Sequence, residues 1–153
     1  MFSKRRKFIS LIIIGGLLLM SACDLIQTKC TPEEVKQDLE ILENQQDTLM
    51  ELLNMGTSAL TLPLVLPRLQ DLHDITVDLD TPCAKETKAI LVDFMDTSVK
   101  LFMAAVVEDE DTINKLGSEL EQLTKDYFYS AFKTEQLAVD PEGWATMEAE
   151  YGD

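Results

Sequence analysis

Apolar residues recur at intervals of three and four along most of this chain, and that spacing predicts amphipathic α-helices. No extended run combines strict apolar and polar alternation with enrichment in Val, Ile and Thr, and Asn-Gly hairpin signals do not occur. The pattern therefore predicts an all-α fold, with four main helices followed by a short helix at the C-terminus.

The first predicted helix begins at the sequence TPEE. Thr31 can cap it, Pro32 suits the first helical position, and Glu34 completes a capping box. Gly56 is the predicted end. The apolar face, which Gln46 interrupts, consists of Val35, Leu39, Leu42, Leu49 and Leu53.

Two prolines disturb the second segment. Pro63 and Pro67 each remove a backbone donor and clash with the preceding turn, so we expect a kinked or broken helix. It should be most regular from Pro67 to Val77, and the apolar stretch from Leu60 to Leu66 should be buried. The expected inward positions of this helix are Leu69, Leu72, Ile75 and Leu79.

The third helix is expected to start as the first does, with Thr81 as its cap and Pro82 at its first position, and to end near Val107. Its apolar face consists of Ala84, Leu91, Phe94, Met95, Phe102 and Ala105. The acidic residues 108–111 connect it to a fourth helix. Acidic side chains stabilise a helix N-terminus, so these residues predict that the fourth helix begins there. The nearly heptad face of that helix consists of Ile113, Leu116, Leu120, Leu123, Tyr127 and Ala131.

A short tail helix follows, with Asp140 as its cap and Pro141 at its first position. Trp144, Met147 and Tyr151 share one side of it. This apolar face must be covered either by the rest of the protein or by a partner, and the first is the commoner arrangement.

Four amphipathic helices with short connections predict an up-down-up-down bundle with a kinked second helix. In that topology the first and third helices are parallel, so Cys30 and Cys83 lie at the same end. An exported protein would join such a pair in a disulfide. Two free thiols, or bridges between molecules, are the alternatives.

The first 22 residues have the composition of an export signal. Four basic residues (4–7) precede an apolar run of 13 residues from Phe8 to Met20, which ends in the small residues Ser21 and Ala22. A helix that crosses the hydrocarbon core needs about 20 residues, so a permanent membrane span is the weaker interpretation.

The sequence Met20-Ser21-Ala22-Cys23 resembles the lipobox of bacterial lipoproteins. The resemblance implies cleavage before Cys23 and attachment of diacylglycerol to its sulfur, with palmitate or a similar acyl group on the new amino group. Residues 1–22 are then the signal peptide, 23–30 a lipidated tether and 31–153 the helical domain. The implied location is the cell envelope, with the domain facing the periplasm or the cell exterior. An ordinary signal peptide with an incidental cysteine is the alternative.

Two further resemblances concern the export route and the target membrane. The segment from Arg5 to Ile9 resembles a twin-arginine export motif, although the strongly apolar run favours the general secretory route. Asp24 resembles the residue that retains lipoproteins of enteric-type bacteria in the inner membrane.

Net charge excludes one class of partner. The formal charge is −15 for the whole chain, but four of the 13 basic residues lie in the signal segment and all 28 acidic residues follow it, which leaves −19 for residues 23–153. Such a surface repels nucleic acids and anionic lipid headgroups. The lipid on Cys23, rather than charge, would hold the domain at the membrane.

Catalytic and metal-binding motifs are missing from the sequence. His73 is the only histidine, and its neighbour Asp74 is expected not to converge with it, so we interpret His73 as a solvated surface residue. Residues 108–111 lack the ligand alternation and the glycine of an EF-hand loop. Cys83 has no evident base, and a CxxCH haem motif does not occur. We therefore expect no enzyme activity and no cofactor.

These observations predict a lipid-anchored, non-enzymatic interaction or accessory protein whose partners are the membrane and another envelope protein. Trp144, Met147 and Tyr151 are its candidate partner contacts. The alternative is a binding module for a small ligand or a divalent cation, which would use the acidic surface or a pocket beside the kinked second helix.

Overall fold

The computed structural model describes residues 30–55 and 60–151, and every regular element among them is a helix, as the sequence predicts. The signal segment, Cys23 and Gly56 lie outside these residues. The helices are α1 (Pro32–Asn54), α2 (Leu62–Asp78), α3 (Lys85–Val106), α4 (Glu110–Val139) and α5 (Pro141–Tyr151).

The four long helices share one apolar core. Helix α3 packs along both α2 and α4, whereas α1 contacts α2, α3 and α4, and α5 packs against α4. The largest side chains that the core buries completely are Leu42, Leu49, Leu69, Leu91 and Met95. None of the described helices combines the length and the apolar character that a membrane span requires.

Helix α1 begins as the sequence predicts. The Thr31 hydroxyl accepts a hydrogen bond from the Glu34 N–H at 3.2 Å, and the Glu34 carboxylate accepts one from the Thr31 N–H at 2.8 Å. The backbone and hydroxyl donors of Thr31 lower the pKa of Glu34. Both partners of the capping box are therefore satisfied.

Helix α2 departs from the prediction in two ways. It begins at Leu62, so Pro67 lies inside it rather than at its start. Pro63 costs little as the second helical residue, where an N–H would have no intrahelical partner, but Pro67 is the sixth residue and lacks the N–H that would donate to the Pro63 carbonyl. Its buried face also differs, because Ile75 is 55% exposed and Thr76 is buried in its place. The Thr76 hydroxyl donates to the Leu72 carbonyl at 2.8 Å, and that bond makes burial of a threonine possible.

The apolar stretch at the start of α2 is only partly buried, so the prediction that all of it lies inside the core is wrong. Val65 is completely buried, whereas Leu60 and Leu64 are exposed. The helical period explains the difference, since Val65, Leu69, Leu72 and Thr76 follow one another at steps of four, three and four.

Helix α3 begins at Lys85, three residues later than predicted, and Thr81 does not cap it. The Cys83 N–H donates instead to Oδ2 of Asp38 on α1 at 2.7 Å. Residues 81–84 form a turn, and Ala84 has a non-helical backbone with φ −128° and ψ 36°, so α3 begins only at Lys85. Once α3 has begun, Nζ of Lys88 donates to the carbonyls of Val77 and Leu79, both at 2.7 Å, and so caps the end of α2.

The last two helices begin at aspartates. The Asp109 carboxylate accepts from the Thr112 N–H at 3.1 Å and from its hydroxyl at 2.6 Å, and these bonds lower the pKa of Asp109. The Asp140 carboxylate accepts from the Gly143 N–H at 2.9 Å, as its predicted role as a cap requires. A Cβ atom at position 143 would overlap that carboxylate.

Candidate functional site

The two cysteines of the described chain lie at disulfide distance, as the sequence predicts. Cys30 immediately precedes the α1 cap and Cys83 lies just before α3. Their sulfur atoms are 2.04 Å apart and their Cα atoms 5.8 Å apart. The Cys83–Asp38 hydrogen bond is a second link between α1 and the start of α3. These two links fix the beginning of α1, which forms one wall of a large surface feature.

That feature is an open groove of about 870 Å³ between the first half of α1 and the second half of α4. We refer to it as the α1–α4 groove. Its apolar lining comes from Val35, Leu39, Tyr127, Phe128, Ala131, Phe132 and Val139. Phe128 is 57% exposed and Phe132 is 48% exposed. Two phenyl rings separated by one helical turn are thus left in contact with water.

A smaller apolar pocket of about 180 Å³ adjoins the groove. Gln46, Tyr127 and Phe128 line both spaces. The remaining walls of the pocket are formed by Leu49, Met50, Leu53, Leu91, Phe94 and Thr124. The pocket therefore extends from the groove toward the core that α1, α3 and α4 share.

The groove has an acidic rim. Glu33, Glu40 and Glu43 of α1 and Glu135 of α4 line it, and Lys36 is the one basic residue among its lining side chains. Burial and the negative charges of Glu43 and Asp47 raise the pKa of Tyr127 to about 12. Acidic side chains therefore outnumber basic ones around the groove.

Trp144 lies beneath the same end of α4. It is only 4% exposed, and its ring centroid lies 5.9 Å from that of Tyr129 and 6.0 Å from that of Phe132. Its indole N–H donates to Glu148 at 3.2 Å. The sequence predicts three partner contacts in the tail. Of these, Trp144 is covered by the protein itself and Met147 is exposed. The side chain of Tyr151 is not among those that the structure describes.

His73 is half-buried rather than solvated. Its Nδ1 lies 3.0 Å from the carboxylate of Asp74, and its Nε2 lies 3.5 Å from that of Asp96 on α3. The expectation that Asp74 would not converge with His73 is therefore wrong, since the short aspartate side chain can reach the ring of its neighbour. Among the described residues, however, no three His, Cys, Asp or Glu side chains are grouped as metal ligands would be.

Neither the groove nor the adjoining pocket is the pocket that the sequence predicts beside the second helix, because no residue of α2 lines either of them. The sequence does contain a signal for the groove. Six residues from Tyr127 to Phe132 read YFYSAF, and that is more aromatic surface than one buried helical face can use.

Comparisons with protein-family models, curated proteins and solved structures give no match.

Proposed function

We propose that this protein is an exported, lipid-anchored helical protein that binds a segment of another envelope protein in the α1–α4 groove and catalyses no reaction. The observation that carries the proposal is the exposure of Phe128 and Phe132 inside a concave, largely apolar surface. Aromatic side chains, phenylalanine among them, are enriched at protein interfaces relative to the rest of the surface. A groove between two helices also suits the helix-in-groove mode of recognition.

The proposed anchor would place the groove near the membrane. Cys30 lies seven residues after Cys23, and at about 3.6 Å per extended residue the connection spans at most about 25 Å. Pro32 and Glu33, which follow directly, line the groove. A lipid on Cys23 would therefore favour partners that are themselves close to the bilayer.

The proposal includes an up-down-up-down arrangement of the four long helices. It is supported by the Cys30–Cys83 pair, which joins the residues before α1 and α3, because parallel helices start at the same end. The helix contacts agree with it, since α3 packs against both of its neighbours in sequence, α2 and α4.

The experiment that tests this function is recovery of membrane proteins with the full chain, its lipid intact. Replacing Phe128 and Phe132 by serine removes the exposed rings and is expected to abolish recovery of the partner. The matched control replaces Val106 and Val107, which are exposed and lie outside the groove, by serine. A partner that the two double variants recover equally well would contradict the proposal.

A second candidate function is binding of a small apolar ligand, which the adjoining pocket favours because its lining is almost entirely apolar. Mass spectrometry of the protein, purified without denaturation, would detect such a ligand. A stoichiometric small molecule that is lost when Leu53 is replaced by the larger tryptophan would support this function over partner binding.

A further inference from the structure

We infer that the partner segment is a cationic amphipathic helix that inserts one aromatic side chain into the apolar pocket. The inference rests on the proposed function, partner binding in the α1–α4 groove, and adds the chemistry of the partner.

The pocket has the size of one aromatic ring. Its volume is about 180 Å³, and an apolar cavity of about 150 Å³ is known to bind benzene. Leu49, Leu53, Leu91 and Phe94 supply apolar walls, and the pocket shares Phe128 with the groove. An aromatic ring that enters from the groove would thus contact side chains from both α1 and α3, which is the geometry of a buried anchor residue.

The rim selects for positive charge. Four glutamates and one lysine border the groove, and the glutamates are solvent-exposed, so each can pair with a basic side chain while it remains partly hydrated. The residues of α1 along the groove run from Pro32 to Gln46, which at 1.5 Å per residue is about 21 Å. That length corresponds to about four turns of a bound helix.

The other occupants of an apolar groove carry the wrong charge here. A second copy would bring the same acidic rim and the same strongly negative surface, with 28 acidic residues against 13 basic ones in the chain. Anionic lipid headgroups would be repelled in the same way. A basic amphipathic helix satisfies both the apolar floor and the acidic rim.

The test measures binding of three synthetic peptides to the full-length protein in nanodiscs of zwitterionic lipid, with empty nanodiscs to measure binding to lipid alone. The first peptide is a 15-residue Leu/Lys amphipathic helix with a central Phe, a length that follows from the four-turn estimate of about 21 Å. The second replaces the Phe by Ala, and the third replaces every Lys by Glu. We expect the first to bind, the second to bind at least about tenfold more weakly, and the third not to bind.

Two protein variants of equal charge locate the effect. Glu40→Lys with Glu43→Lys reverses part of the rim and should weaken the Lys peptide at least about tenfold. Glu51→Lys with Glu119→Lys makes the same change of net charge at exposed positions outside the groove and should leave binding unchanged. Circular dichroism of both variants verifies that they remain helical.

Each result that departs from this expectation overturns a separate part. Equal binding of the Lys and Glu peptides would overturn the cationic partner and leave the groove as a binding site. Equal binding of the Phe and Ala peptides would overturn the anchor pocket. If no peptide binds, this inference fails. If, in addition, the variant with Phe128→Ser and Phe132→Ser still recovers a partner from membranes, the proposed function fails as well.

Discussion

Asp38 is the only carboxylate that the described part of the chain buries, and its role is structural. It accepts a hydrogen bond from the Cys83 N–H at 2.7 Å, across 45 residues of sequence. This hydrogen bond joins α1 to the turn that precedes α3. It also places Cys83 beside α1, where Cys30 can reach it.

Removal of this acceptor should destabilise the protein. We expect Asp38→Ala to lower the free energy of unfolding by about 1–3 kcal/mol, because it leaves a partly buried N–H without a partner. Asp38→Asn is the matched control, since its amide oxygen can still accept the bond, and it should cost less. Chemical denaturation of the two variants measures the difference, and equal losses would show that the hydrogen bond is not the cause.

Tyr127 predicts the behaviour of the protein at alkaline pH. Its pKa is raised to about 12 in the folded protein, whereas an unfolded tyrosine titrates near 10. The raised pKa contributes stability that is fully present below pH of about 10 and is lost as pH rises toward about 12. We expect Tyr127→Phe to show a smaller loss of stability across this interval than the wild type.

Tyr129, which is exposed, supplies the control for that measurement. Tyr129→Phe should leave the alkaline loss of stability as it is in the wild type. If both variants follow the wild-type curve, the titration of Tyr127 does not contribute to it.

At the scale of whole elements, a helix start is predictable from the sequence when its cap lies within a few residues of it along the chain. The caps at Thr31 and Asp140 each act within three residues of the chain, so a local pattern reveals them. The start of α3 differs from the prediction because Ala84, which no local cap pattern distinguishes, has a non-helical backbone with φ −128° and ψ 36°. The apolar pattern does not predict burial of Thr76, because it counts threonine as polar. Burial is possible since the Thr76 hydroxyl donates a hydrogen bond to the Leu72 carbonyl.

The candidate site was harder to predict than the helices. The excess of aromatic residues from Tyr127 to Phe132 is visible in the sequence, but the groove depends on how α1 packs against α4. Similarly, the adjoining pocket requires side chains from three helices, and helical periodicity does not specify their distances.

Two glycines on neighbouring helices make a matched pair. A Cβ at Gly143 would overlap the Asp140 carboxylate, so we expect Gly143→Ala to loosen α5 and expose Trp144, with a red shift of its fluorescence. A Cβ at Gly117 meets nothing within 4 Å, so Gly117→Ala should stabilise α4 by about 0.5–1 kcal/mol and leave Trp144 unaffected. An unchanged spectrum in Gly143→Ala would show that the Asp140 cap is not needed to hold Trp144 in place.

Removal of the disulfide is expected to lower the free energy of unfolding more than the other substitutions do. The two cysteines are separated by 53 residues, and closing a loop of that length stabilises a protein by about 4 kcal/mol in the chain-entropy model. We expect the Cys30→Ser, Cys83→Ser double variant to lose a comparable amount. Mass spectrometry of unreduced peptides provides the direct test, and free thiols at both positions would rule the bond out.

At the scale of the whole molecule, the lipid is proposed to confine a strongly acidic domain to a membrane that would otherwise repel it. Cys23→Ser is expected to block processing of the signal peptide and to prevent attachment of the lipid. Gel mobility and membrane fractionation measure both effects. Unchanged cleavage together with continued membrane retention would contradict the lipoprotein interpretation.

The central claim is that the α1–α4 groove holds a partner at the membrane, and photo-crosslinking in intact cells tests it most directly. A photoreactive amino acid replaces either Phe132, in the groove, or Val107, which is exposed and lies outside it. The account predicts a crosslinked product with one envelope protein from position 132 and none from position 107. No product from position 132, or the same product from both positions, would contradict it.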